Sequence, residues 1–377
     1  MSLLSETQTS HRKIGMYRHM VRIAFLLMTI SLALGQTPGG EKDTAGATHS
    51  GIFPLPILFY TPETGIAGGA AVMYLYRERS STRASSITGD VIYTQKKQII
   101  VEVGGDQYFG QGDYRLLSNL SFQKYPSKFF GIGNHTSSQD EEQYTPQSFV
   151  LRAVLYRNFY ARFNIGPIIR FESASMKETI PTGLLATGTI SGSKGGISAG
   201  LGLAANWDSR DNTFSAHSGS FYQVTGLFYR SAFGSDYTYT DIQIDARNFF
   251  EIGRTHVLAV QAGGQIIEGL PPLQSLAKFG GMSLLRGYFD GRYRDKNGIA
   301  LQVEYRLPVW WRFGMVGFAG IAQVADQINH FGFNRFWFAG GVGLRFFWNP
   351  QERISLRLDY GIGNNSAGMY VTVTEAF

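Results

Sequence analysis

The side chains able to do acid–base or metal chemistry are scattered. His11, His19, His49, His135, His217, His256 and His330 show no HxxxH or His–carboxylate spacing, and the chain has no Cys. A zinc-type ligand set and thiolate chemistry are therefore not expected. Gly196-Ile197-Ser198-Ala199-Gly200 has the letters of G-x-S-x-G but opens the strand candidate 196–208, not the strand-to-helix elbow that exposes a hydrolase nucleophile. Asp140-Glu141-Glu142 reads as a solvated charge run. Asp208, Arg210 and Asp211 fall with His217 in one turn-like stretch ending at Gly219. A catalytic or calcium cluster is conceivable there, but short acids in tight turns more often accept from backbone N–H groups. No enzyme, cofactor or metal is expected. What remains is one guanidinium, Arg286, in the loop Lys278-Phe279-Gly280-Gly281-Met282-Ser283-Leu284-Leu285-Arg286-Gly287-Tyr288. A surface loop of that length is normally polar. This one is apolar around its Arg, so it is expected to fold back and be buried against something larger.

Composition indicates what that larger body is. Charged residues are 16% of the 377, against about 25% in a typical soluble domain. Aromatics reach 14%, with 46 Gly, yet mean hydropathy is only −0.09. Beyond the N-terminus no run of about 18 apolar residues occurs, which disfavours spanning helices. Strands apolar on one face only would give this balance, as in a transmembrane β-barrel. Residues 1–35 read as a signal peptide, with Arg12, Lys13, Arg18 and Arg22 ahead of the apolar Ile23 to Leu34 and a small-x-small site at Ala33-Leu34-Gly35. Its removal leaves 30 Lys+Arg against 27 Asp+Glu, no basis for nucleic-acid binding. Residues 36–50 form a polar, Gly-rich lead-in, and 51–377 the barrel.

Sixteen strand candidates follow: 52–60, 65–78, 87–95, 98–109, 113–123, 147–160, 161–175, 196–208, 218–231, 236–250, 255–268, 297–307, 314–325, 335–347, 353–361 and 367–377. Period-2 alternation is clear in several. Ile354, Leu356, Leu358 and Tyr360 alternate with Ser355, Arg357 and Asp359; Leu301, Val303 and Tyr305 alternate with Gln302, Glu304 and Arg306. Many candidates exceed the usual 5–6 residues of soluble strands and suit a tilted bilayer crossing. A β-sandwich would have to bury aromatic faces on all of them in one core. The longest connections, 124–146, 176–195 and 269–296, all follow odd-numbered strands. Long loops outside and short turns within the periplasm, with both termini periplasmic, is the outer-membrane arrangement. The fold expected is all-β: a 16-stranded antiparallel transmembrane barrel, with an inward-folded extracellular loop between strands eleven and twelve.

Gly280-Gly281 followed by Leu285-Arg286-Gly287-Tyr288 resembles the (V/L/I)-R-G-(F/Y) signature of the BamA/TamA-type outer-membrane assembly barrels, the bacterial surface antigen family. Asp208-Ser209-Arg210-Asp211-Asn212 with Gly219 is similar to that family's D-x-R-D-N…G segment. Val303-Glu304-Tyr305-Arg306-Leu307-Pro308 resembles its V-E-Y-R-x-P, and Arg357-Leu358-Asp359-Tyr360 its R-x-D-Y. The resemblance implies a loop folded into the lumen, its Arg meeting acidic residues of the inner wall. Glu304 has the parity of the polar face, so an Arg286–Glu304 ion pair is expected; desolvated, it would matter far more than an exposed pair. The second acceptor usual in the family, an Asp on strand thirteen, is replaced by Gly320.

About 15 residues between signal and first strand leave no room for the family's periplasmic POTRA domains. Val371, Val373 and Phe377 share one parity on the last strand and resemble the C-terminal signal read by the barrel-assembly machinery. Pro54 and Pro56 on the first strand cannot donate ladder bonds and suggest a weak first–last seam. The resemblance implies insertion or translocation of outer-membrane proteins or lipids, with a separate periplasmic or outer-membrane protein partner and the surrounding lipids. A passive pore or a structural subunit is the alternative, and a hydrolase using lumen-rim acids a third.

Overall fold

The computed structural model describes residues 50–77, 84–160, 162–177, 180–253 and 255–377. The expected signal peptide, and the lead-in apart from Ser50, lie outside the described residues. Sixteen long strands make one antiparallel sheet closed on itself. They are β1 Gly51–Thr61, β2 Gly65–Tyr76, β3 Ser85–Thr94, β4 Ile99–Phe109, β5 Tyr114–Lys124, β6 Glu142–Tyr160, β7 Phe163–Lys177 and β8 Gly195–Asp208. The second half comprises β9 Gly219–Tyr229, β10 Tyr239–Ile252, β11 His256–Gly269, β12 Asn297–Trp310, β13 Phe313–Ala325, β14 Trp337–Asn349, β15 Ile354–Gly363 and β16 Ser366–Val373. Each pairs with its neighbours in sequence. Connections 125–141, 178–194 and 270–296 are the longest and emerge at one end, the long-loop end; the opposite end carries mostly short turns.

Alternation decides which face is which. On β12, Leu301, Val303 and Tyr305 are exposed while Gln302, Glu304 and Arg306 are buried. Exposed apolar residues on the outside and satisfied polar ones inside is what a bilayer demands of a barrel. Strand boundaries shift from the sequence reading mainly at β6, which starts at Glu142 rather than 147. Pro146 interrupts the sequence pattern without ending the strand: it lacks only a donor, and its carbonyl accepts from Tyr125 N at 2.9 Å.

Closure is uneven. β1 pairs with β2 along its whole length, from Gly51 opposite Leu75 to Thr61 opposite Gly65. Its seam with β16 has one residue pair, Tyr60 opposite Val371. β16 is also the shortest of the sixteen, at 8 residues.

The end of the chain corrects an expectation. Val371, Val373 and Phe377 share one parity in the sequence, but the fold does not put all three on one face. Val373 is exposed, but Thr374 takes a φ of +68° and ends the strand. Phe377 is instead buried inside the short-turn end, beside Phe249, Ala216 and Ala259. Parity extrapolates only while the backbone stays extended, and a left-handed residue resets it.

Candidate functional site

The segment between β11 and β12 begins with a short helical turn, Leu273–Ser275, and a two-stranded ribbon pairing Ala277–Phe279 with Tyr293–Asp295. Gly280 and Gly281, with φ of +115° and +80°, turn the chain at the ribbon's end. Between them and Tyr293 the loop packs onto the inner wall. Phe279, Leu285, Tyr288 and Tyr293 form an apolar cluster with Ala300, Ala322, Val324 and Ala339 of β12, β13 and β14. Small wall residues leave room for the loop's large ones, so complementarity in size sets its depth.

Close approach also has a glycine signature. A Cβ on Gly287 would come within 2.9 Å of the Ile362 backbone, and one on Gly361 within 2.6 Å of Arg286 O. Loop and β15 therefore touch backbone to backbone, which only glycine permits. Gly287 N donates to the Tyr370 hydroxyl at 3.0 Å, and Ser366 Oγ donates to Gly287 O at 2.6 Å. Tyr288 OH donates to Phe338 O at 3.1 Å and accepts from Asn364 N at 2.8 Å. The loop thus holds β14, β15 and β16 at once.

Arg286 itself is fully buried. One terminal nitrogen donates to Glu304 of β12 and the other to Asp359 of β15, both carboxylates also fully buried. Its guanidinium lies 3.6 Å from the centroid of the Phe318 ring on β13. This cation–π contact supports a charge that has been stripped of water. Each carboxylate serves a second Arg. Arg306 Nε donates to Glu304 Oε2 at 2.9 Å, and Arg345 Nη1 to Asp359 Oδ1 at 2.6 Å. Arg345 Nε donates to Glu375 Oε2 at 2.7 Å, and Arg306 Nη2 to Phe377 O at 3.0 Å. Arg357 reaches Thr372 Oγ1 at 2.7 Å and Met282 O at 3.2 Å. Alternating charges on β12, β14 and β15, in the loop and after β16 make one connected network. A lone buried ion here would be costly, whereas a shared one is compensated.

Sequence reading placed Arg286 and Glu304 and left the second acceptor open. Gly320, where a strand-thirteen Asp was missing, faces Gln302 across the β12–β13 pair. The second carboxylate comes from β15 instead, as Asp359. Its parity beside Arg357 was readable, but nothing in a linear sequence says that strand fifteen comes within reach of a loop 73 residues earlier. Glu375 and Arg345 were missed for the same reason.

The other candidate residues lie apart, at the short-turn end. Arg210 binds Asp208 through Nε at 2.9 Å and Nη2 at 2.8 Å. Asp211 accepts from the backbone N–H of His217 at 2.9 Å and of Ser218 at 3.2 Å, and pairs with Arg353 of the β14–β15 turn. Asn212 Nδ2 adds a bond to Glu352 O at 3.2 Å. Segment 209–218 therefore reaches a turn several strands away and lies against the inward-turned residues after β16 through Ala216. Gly219 takes a φ of +95° where the segment re-enters the sheet. Burial opposes ionisation of Asp211, but Arg353 and the two backbone donors outweigh it and hold its carboxyl below the ordinary range.

At the long-loop end the β1–β2 turn joins the loop. The carboxylate of Glu63 accepts from Asp290 N at 2.9 Å, and Gln98 Nε2 donates to Glu63 O at 3.0 Å. Burial raises the Glu63 carboxyl above its ordinary value, and the backbone N–H groups of Asp290 and Glu63 with the Thr61 side chain offset only part of that. A cavity of about 300 Å³ lies nearby, lined by Tyr144, Glu172, Lys278, Asp290 and Arg294 among others.

The Omp85 superfamily domain matches this sequence over residues 92–371. Among solved structures, the barrel is similar to BamA from Haemophilus ducreyi, in a crystal structure lacking POTRA domains 1–3. The TM-score is 0.62 at 13% identity, covering 87% of this chain and 70% of that one. It is similar also to CdiB from Acinetobacter baumannii (TM-score 0.56, 13% identity, 85% of this chain and 59% of that). With CdiB from Escherichia coli the TM-score is 0.57 at 9% identity, over 89% of this chain and 66% of that. The chain spans less than two thirds of either CdiB. At such identities the likeness is one of fold. No curated protein matches the sequence.

Proposed function

The chain belongs to the Omp85 superfamily, and from that premise we propose that it is an outer-membrane barrel that moves a client, protein or lipid, by parting β1 from β16. Barrels of this superfamily are in general insertion and translocation proteins rather than enzymes, and we read this one likewise. The observation that carries the reading is the seam: a single residue pair, against pairing along the full length of β1 on its other side. An unpaired strand edge in hydrocarbon is costly to a static pore, and natural barrels normally leave none. A seam this weak makes sense if opening is part of the work.

In this reading the long-loop end is extracellular and both termini are periplasmic. The 270–296 loop, held through Arg286 on Glu304 and Asp359, keeps β12–β16 together as a fixed block while β1 moves. A separate periplasmic or outer-membrane protein delivers the client. The barrel-assembly machinery inserts the chain itself, reading Val371, Val373 and Phe377 before the residues after β16 turn inward. A passive pore or structural subunit remains the alternative, and segment 209–218 reaching across to Arg353 counts against an unobstructed pore.

The test uses the absence of native Cys. A Tyr60→Cys, Val371→Cys protein in liposomes should insert a client barrel or exchange lipid between leaflets when reduced, and stop when oxidised. Equal activity in both states would overturn the reading. Ion conductance with neither activity would favour the pore.

A further inference from the structure

The strand at the seam differs chemically from the rest of the wall. β1 reads Ile52-Phe53-Pro54-Leu55-Pro56-Ile57-Leu58-Phe59, apolar at every position, and β2 has no charged residue between Gly65 and Tyr76. Outward positions are marked by the exposure of Ile52, Val72 and Tyr74. The inward set, in register with buried Ala67 and Ala71, contains Phe53, Leu55, Ile57 and Phe59 of β1 and Met73 of β2. The inner faces of β10 and β12 carry Asp241, Asp245, Gln302 and Glu304 in their place. Phe53 and Leu55 are nevertheless 47% and 45% exposed, so apolar surface faces open space inside the barrel. When the Tyr60–Val371 pair parts, this surface would join the bilayer-facing surface around the edge of β1.

The edge itself can be read group by group. Ile66 O accepts from Gln95 N at 2.7 Å, and Ile66 N donates to the Gln95 side chain at 3.1 Å. Ile66 therefore points its backbone groups toward β3, and its β1 partner Tyr60 points away from β2, into the seam. The β1–β2 register is unbroken, so Leu58, Pro56, Pro54 and Ile52 point into the seam as well. Two successive seam-facing positions thus have no N–H. A β-strand laid against this edge would leave two of its carbonyls unpaired in hydrocarbon. An acyl chain needs no hydrogen bonds and loses nothing there.

We propose that the occupant of the β1–β16 seam is a lipid acyl chain, which passes from the bilayer around the proline-bearing edge of β1 onto the inward apolar face made by Phe53, Leu55, Ile57, Phe59 and Met73. This deepens the seam reading given above, and rests on it, by naming lipid rather than a protein strand as what enters. It is tested on the full-length Tyr60→Cys, Val371→Cys protein in vesicles of phosphatidylcholine bearing a diazirine near the end of one acyl chain. Photolysis and peptide mapping should find label on Phe53, Leu55 and Met73 as well as on outward Val72 and Tyr74 when the seam is reduced. Oxidation should abolish the inward labels and keep the outward ones. Inward positions unlabelled in both states, or labelled equally in both, would overturn the proposal. So would efficient cross-linking of an extended client peptide along Pro54–Pro56 in the reduced protein. Failure here with insertion still dependent on seam opening would sink the lipid assignment alone. Activity indifferent to the disulfide would sink the seam reading itself.

Discussion

The wall formed by β12–β15 and the wall formed by β1–β2 are built on opposite principles. In the first, buried charges meet inside the barrel: Arg286, Arg306 and Arg345 against Glu304, Asp359 and Glu375. Moving any one of them strands its partners without water, so the whole block moves together or not at all. In the second, no charge is present, one edge has almost no ladder, and two of its donors are absent. A strand there can shift without exposing an unsatisfied ion. Rigidity and mobility are thus distributed around the barrel by side-chain chemistry and by an uneven backbone ladder together.

The comparison breaks most directly at Arg286. Arg286→Ala leaves Glu304 and Asp359 buried without their shared cation, a loss of about 3–5 kcal/mol for a buried pair cut on one side. The folded barrel should lose its resistance to heat in gel-shift assays, and unchanged mobility after heating would refute the clamp. Arg286→Lys should rescue little, since one ammonium cannot reproduce the fork held between two strands.

A finer cut separates the two acceptors. Asp359→Asn and Glu304→Gln should each cost about 1.5–3 kcal/mol, the range for hydrogen bonds to charged groups. Urea unfolding of the two variants measures this, and a negligible effect of Asp359→Asn would return the loop to a single-carboxylate anchor.

The smallest effect concerns the loop's hold on the mobile side. Glu63 binds a proton more tightly folded than unfolded, because burial disfavours its charge. Its contribution is therefore fully present below its unfolded value of 4.5 and is lost as pH rises through the raised folded value. Asp211 behaves in the opposite sense: its stabilisation is present above 3.8 and is lost as pH falls through the lowered folded value. Glu63→Gln should flatten the first dependence and Asp211→Asn the second, measured as unfolding midpoints across pH. A Glu63→Gln barrel with the parent's pH profile would show that the β1–β2 turn does not feel the loop.

Much of this was legible before any coordinates. Period-2 alternation located the strands and told Glu304 from Tyr305, since a bilayer outside and polar contacts inside sort residues by parity alone. The resemblance carried by Leu285-Arg286-Gly287-Tyr288 led to the family that the match over residues 92–371 then identified. What resisted was anything requiring closure. Asp359 comes to the loop, and Glu375 to Arg345, only because the sheet curls round, and the link from Asp211 to Arg353 crosses the barrel end. Phe377 leaves the face that its parity with Val373 implies because one left-handed residue, Thr374, ends the alternation. Local rules carry through strands and stop at the bends.

Glu375 lies beyond β16, the strand that closes the barrel, yet it is the partner of Arg345 deep in the charged wall. Until that strand is in place, Arg345 faces its neighbours with one carboxylate fewer. Completion of the inner network therefore reports that closure has occurred, and the docked loop becomes a record of a finished barrel: a chain caught mid-assembly would be marked by an interior that is still too positive.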